Sequence, residues 1–203
     1  MAGWWRSGSK GFPMNNPSEL PEKLRSIMEH YQRAFSDKQY EADNNDHDLL
    51  MDVFGLTPEI KRENRQYWSR ELGMCWQMLI VEIFKHQHPH FGPALRFGDD
   101  EPCDLIAEDY AIDTKYRIGS GDSGTQKKFK SYGSLLQQHG YDPTLLILRT
   151  DNLPAAITAF ERGGWHIYAG EETFRFIKQQ TGFDIRDYLA QIAGAYKVNR
   201  LPR

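Results

Sequence analysis

Residues 144 to 149, Thr-Leu-Leu-Ile-Leu-Arg, form an apolar run without alternation, and it restricts the fold more than any other stretch. A strand that is apolar on both faces has to be covered on both, as in sheets packed between helices. The surrounding pattern supplies the covers. Thr57-Pro58-Glu59 reads as a helix start, with a capping hydroxyl, proline in the first turn and an acid near the helix N-terminus. That helix is expected to run to about Lys85, with Leu72, Cys75, Trp76, Leu79, Ile80 and Ile83 forming one wide apolar stripe. After a loop around Pro89 and Pro93, strands are expected at Ala94–Phe97 and on either side of Glu108-Asp109. A Gly/Ser loop over 119–124 precedes a helix from Thr125 to about His139-Gly140. A helix over 154–162, a strand over 165–168 and amphipathic helices near 171–180 and 184–193 complete the pattern. The order α, β, β, β, α, β, α, β predicts an α/β domain, a mixed central sheet flanked by helices.

Residues 1 to 17 read as an irregular arm with aromatic anchors, in which Trp4-Trp5-Arg6 is expected to pack rather than to enter a nucleic-acid groove. Ser18 and Pro21 open a helix over about 19–36, carrying Leu24, Ile27, Met28, Tyr31 and Phe35 at helical spacing. A polar loop then leads to a short apolar helix at Leu49 to Phe54. The 203 residues fit one structural domain. Within it, 1–56 is expected to be an arm and helical extension packed on a core of 57–203. No apolar run is long enough to span a bilayer, and the first residues do not resemble a secretion signal, so a cytoplasmic location is expected. Cys75 and Cys103 provide neither a disulfide framework nor a four-cysteine zinc site. A net charge of -3 offers no overall attraction to nucleic acid, so phosphate binding would need local Lys and Arg clusters.

Chemistry concentrates between residues 102 and 115, Pro-Cys-Asp-Leu-Ile-Ala-Glu-Asp-Tyr-Ala-Ile-Asp-Thr-Lys. Strand alternation places Asp113 and Lys115 on one face and Thr114 on the other. A two-residue turn at Glu108-Asp109 would pair Ala107 with Tyr110 and, further along, bring Asp104 opposite Asp113. Opposed strand residues hold their Cβ atoms roughly 4.5 to 5.5 Å apart, a separation at which like charges destabilise a hairpin. A divalent cation would neutralise them. Glu71 and Glu82 lie near three helical turns apart at the margin of the apolar stripe, where either could reach the edge of the sheet; Glu82 is preferred. His86, His88 and His90 read as a polar helix-ending loop, and Asp99, Asp100 and Glu101 as a solvated turn.

An acid on the first helix, Asp104 on one strand and Asp113-Thr114-Lys115 on the next resembles the PD-(D/E)xK nuclease superfamily, most of all type II restriction endonucleases. The likeness covers roughly residues 60 to 150, and Cys103 stands between the usual proline, Pro102, and the first aspartate. The resemblance implies a restriction-endonuclease-like αβββαβ core, with 57–203 as the catalytic domain. It implies that Asp104, Asp113 and the carbonyl of Thr114 hold Mg²⁺, for which Mn²⁺ would substitute, and that Lys115 and Glu82 join the catalytic group. The expected reaction is hydrolysis of double-stranded DNA at a specific sequence, leaving 5′-phosphate and 3′-hydroxyl ends, by a homodimer whose two sites address two strands. Arg117, Ser120, Asp122, Ser123, Gln126, Lys127 and Lys128, just beyond the catalytic strand, are expected to contact DNA, as are Arg149 and Asn152 after the next strand. Two other readings remain open: a repair, phage or mobile-element nuclease acting on structure or ends, and a DNA-binding protein that keeps the fold without cutting.

Overall fold

The computed structural model describes residues 25, 28–30, 32–33, 47–119 and 123–198. Contacts divide the chain into Met1–Asp43 and Asn44–Arg203. In the first unit the described residues are helical, as expected over 19–36; the arm and most of that helix, including Trp4, Trp5 and Arg6, lie outside the described residues.

The larger unit contains α1 (Leu49–Phe54), α2 (Pro58–Glu63), α3 (Arg65–Gln87), β1 (Phe91–Pro93), β2 (Leu105–Ala107), β3 (Tyr110–Lys115), α4 (Ser123–Gln138), β4 (Asp142–Ile147), α5 (Pro154–Arg162), β5 (His166–Ala169), α6 (Glu171–Thr181) and α7 (Ile185–Gln191). The five strands lie in chain order across one sheet. β2 runs antiparallel to both β1 and β3, whereas β3, β4 and β5 run parallel. This is the α/β core that the resemblance implies.

Alternating side chains on the strands supply two cores. Leu105, Ala107, Ile112, Tyr116 and Leu146 face Leu72, Trp76, Ile80 and Phe84 of α3, together with Phe174, Phe176 and Ile177 of α6. Ile106, Ala111, Leu145 and Ile147 face Tyr132 and Leu136 of α4 and Ala156 and Phe160 of α5. The unbroken run in β4 is thus apolar because it feeds both layers. Pro143 is tolerated at the start of this central strand because pairing with β5 begins only at Thr144.

Two elements differ from their sequence expectation. The single helix expected from Thr57 to Lys85 is two helices, broken at Asn64, whose backbone leaves helical geometry (φ -154°, ψ 80°) and whose side chain accepts from the Tyr67 N–H to cap α3. The first strand lies at Phe91–Pro93, ahead of the expected Ala94–Phe97, because Phe91 pairs with Ala107 and Pro93 with Leu105. As an edge strand it accommodates both Gly92 and Pro93.

The hairpin turn is the expected two residues. Ala107 pairs with Tyr110, Ile106 with Ala111 and Leu105 with Ile112. Glu108 carries a left-handed φ of 54°, which a glycine adopts more readily than a glutamate. The regular pairing ends at Leu105 with Ile112; beyond it the Asp104 N–H also donates to Ile112 O at 2.8 Å, so the strand bulges there and Asp104 is not in register with Asp113, although the two carboxylates are neighbours.

Candidate active site

Asp113 and Lys115 lie on the β3 face that turns toward α4, and Asp104 stands at the mouth of the hairpin. The Lys115 ammonium is 2.7 Å from Asp113 Oδ2 and donates to the Thr114 carbonyl at 3.1 Å. Its flank rests near the Phe129 ring of α4, with Nζ 5.7 Å from the ring centroid. Asp113 is buried, and Oδ2 has the ion contact but no partner in hydrogen-bonding geometry. Burial pushes its carboxyl up to about 6; the Asp104 charge adds to this, and Lys115 opposes it. Burial also disfavours the charge on Lys115, but Asp113 and Asp104 outweigh it and hold the ammonium above its ordinary range.

The carboxylate of Asp104 is oriented by three donors. Oδ2 accepts from the Thr114 backbone N–H and from Thr114 Oγ1, both at 2.7 Å. Oδ1 accepts from Gln77 Nε2 of α3 at 2.6 Å. Thr114 therefore contributes a hydroxyl and an N–H to the site as well as the carbonyl that the resemblance singles out. The two neighbouring carboxylates make different contacts: Asp104 is clamped by neutral donors, and Asp113 is left with one lysine.

The structure brings together Asp104, Asp113, Thr114 and Lys115, but not Glu82. From Gln77, Glu82 is five residues on, roughly 140° around the helix at about 100° per residue. Its carboxylate pairs with Lys85 at 3.0 Å and lies 3.4 Å from His86. It lines a groove with Phe183, Ile185 and Tyr188. Glu71 pairs with Arg70 at 2.9 Å. The residue that α3 does contribute, Gln77, carries no charge to mark it in the sequence; its one signal is a polar side chain immediately after the buried Trp76.

Of the residues expected at DNA, Lys127 and Lys128 are exposed on α4, the helix that carries Phe129. Lys128 lies 3.4 Å from Asp100 and 5.1 Å from the centre of the Tyr132 ring. Arg149 is held inside the protein, 2.8 Å from Asp48 and 2.7 Å from Asp151. Arg117 pairs with Asp151 at 2.8 Å. Asn152 accepts from the Ile118 N–H at 2.8 Å and donates to Arg149 O at 2.7 Å, fastening the segments after β3 and β4 together. Ser120 and Asp122 lie outside the described residues, and only the helical backbone is described for Ser123 and Gln126.

The five-stranded mixed sheet flanked by helices is consistent with a restriction-endonuclease-like α/β core. Residues 99–194, just under half of the chain, are similar to the family described as ApaLI-like restriction endonuclease, whose model they match. No curated protein and no solved structure matches the chain. Among the described residues, no helix is long and apolar enough to cross a membrane.

Proposed function

We propose that this chain is a Mg²⁺-dependent type II restriction endonuclease that hydrolyses double-stranded DNA at a specific sequence, leaving 5′-phosphate and 3′-hydroxyl ends. The observation that carries the proposal is Asp113: a buried carboxylate beside a second carboxylate, Asp104, with Lys115 at 2.7 Å as its ion partner. Two neighbouring carboxylates against one ammonium leave negative charge for a further cation to offset. The donors are hard oxygens, which suit Mg²⁺, an ion commonly held by one or two carboxylates plus substrate phosphate.

Asp113 and Asp104 would hold the ion, with the Thr114 carbonyl as a further ligand. Mg²⁺ bound there supplies polarisation of the phosphoryl oxygen, a lowered pKa for the attacking water and support for the leaving oxygen. Thr114 and Gln77 fix the rotamer of Asp104 before substrate arrives, which removes reorganisation from the reaction. Lys115, held protonated by its carboxylate neighbours, orients the water and stabilises the negative charge that develops at phosphorus. An ammonium so held is an electrostatic group rather than a proton acceptor. Lys127 and Lys128 on α4 bind the backbone phosphates that deliver the scissile bond. Two copies, related by the two-fold symmetry of a palindromic site, cut the two strands.

The test is incubation of the purified chain with plasmid and phage DNA, with Mg²⁺ or with chelator. Discrete Mg²⁺-dependent fragments are expected. Smearing or loss from ends would favour a repair-type nuclease, and a gel shift without cutting a non-cleaving binder. Asp113→Ala and Lys115→Ala should each abolish fragments while the circular dichroism spectrum persists, and cleavage by either variant would sink the site assignment.

A further inference from the structure

Building on the metal-holding reading of the site, we infer that Gln77 is a positioning residue that sets the charge of the site and limits it to one divalent cation. Asp104 Oδ1 can only accept when ionised, so the Gln77 group that meets it at 2.6 Å is the NH₂ end of the amide. α3 therefore supplies a neutral donor where the resemblance implies an acid. Among the described residues, no group of three or more His, Cys, Asp and Glu side chains is arranged to hold a metal. The carboxylates of the site are Asp104 and Asp113, with Lys115 2.7 Å from the second.

This arrangement does not suit two ions. Paired catalytic metals stand roughly 3.5 to 4 Å apart and depend on surrounding carboxylates to offset their repulsion. Here two carboxylates would face four positive charges, and the Lys115 ammonium already takes a cation's position against Asp113. With three donors on Asp104, two from Thr114 and one from Gln77, at least one lone pair is left to one ligand bond. Gln77 acts through Asp104, holding its carboxylate in a single orientation without adding charge.

The experiment is calorimetric titration of the full chain with Mn²⁺ alone, without DNA, on wild type, Gln77→Glu and Gln77→Leu. Wild type should bind one ion per chain. Gln77→Glu places a third carboxylate against Asp104, so its metal-free melting temperature should fall, and Mn²⁺ should bind at least tenfold tighter or a second ion should enter. Gln77→Leu releases Asp104 and should weaken Mn²⁺ binding about tenfold with an unchanged metal-free circular dichroism spectrum. This second variant keeps the test decisive if the first does not fold. Two ions per wild-type chain, or wild-type affinity and stoichiometry in the variants, would overturn the role of Gln77. A wild type that binds no Mn²⁺ would instead bring down the metal-holding reading on which the inference rests.

Discussion

At Asp113, burial and charge leave a signature in the pH dependence of stability. A carboxyl raised from 3.8 to about 6 in the folded chain binds its proton more tightly than the unfolded chain does. Its contribution is fully present below about pH 4 and is lost as the pH rises through 6, on the order of 3 kcal/mol. Metal-free wild type should thus lose stability relative to Asp113→Asn between pH 4 and 6, read from urea midpoints, and added Mg²⁺ should restore much of it. Lys61 behaves in the opposite sense. Its amine is buried, donates to Tyr116 OH at 2.7 Å and is lowered from 10.5 to about 8 by burial and then by Arg149. The unfolded chain takes up that proton first, so the cost is fully present below about pH 8 and is relieved as the pH approaches 10.5. Lys61→Met should remove this dependence, the wild type gaining on the order of 3 kcal/mol relative to it across that window. Asp113 and Lys115 were legible in the sequence because alternation alone fixes that they share a face. Arg149 was not: its partner Asp48 lies far away in the chain, and only tertiary structure shows the cation consumed in an internal pair.

Between elements, α4 and the end of α5 approach closely. A Cβ on Gly133 would come within 2.1 Å of Gly163 O and 2.7 Å of Trp165 Nε1. Gly133→Ala should therefore destabilise the protein by about 2 kcal/mol or more, measured by denaturant unfolding, because backbone rather than a flexible side chain would have to move. Trp165 donates from Nε1 to Phe129 O at 3.0 Å, so the same substitution should disturb the helix beside Lys115 and reduce cleavage. The sequence revealed most elements because their apolar periods are intact. It concealed the break at Asn64, where the apolar pattern carries on while a side-chain cap restarts the helix. It misplaced β1 because Phe-Gly-Pro has little strand character and is recruited by pairing with β2. Gln77 escaped notice for a related reason: the helical register pointed to acids at the stripe margin, whereas the strands call on the neutral amide.

For the whole molecule, a net charge of -3 means that attraction to DNA is local rather than global. Lys127→Ala with Lys128→Ala should weaken binding about equally for cognate and unrelated duplexes and reduce the log-log salt slope by about 2, read by fluorescence anisotropy over a salt series. A loss confined to the cognate sequence would mean that these lysines read bases. The two-residue turn at Glu108-Asp109 has a wider consequence for how such a chain can change. Substitution there is mild, and Glu108→Gly should even stabilise by about 0.5 to 1 kcal/mol by relieving the left-handed backbone. Adding or deleting one residue within β2 or β3 is a different event, because a slip by one sends core side chains and reactive ones to each other's faces. Lineages descending from this sequence are therefore free to drift in spelling at Glu108-Asp109 but not in length between Asp104 and Lys115, and a library of single-residue insertions should show a window without cleavage over the hairpin strands.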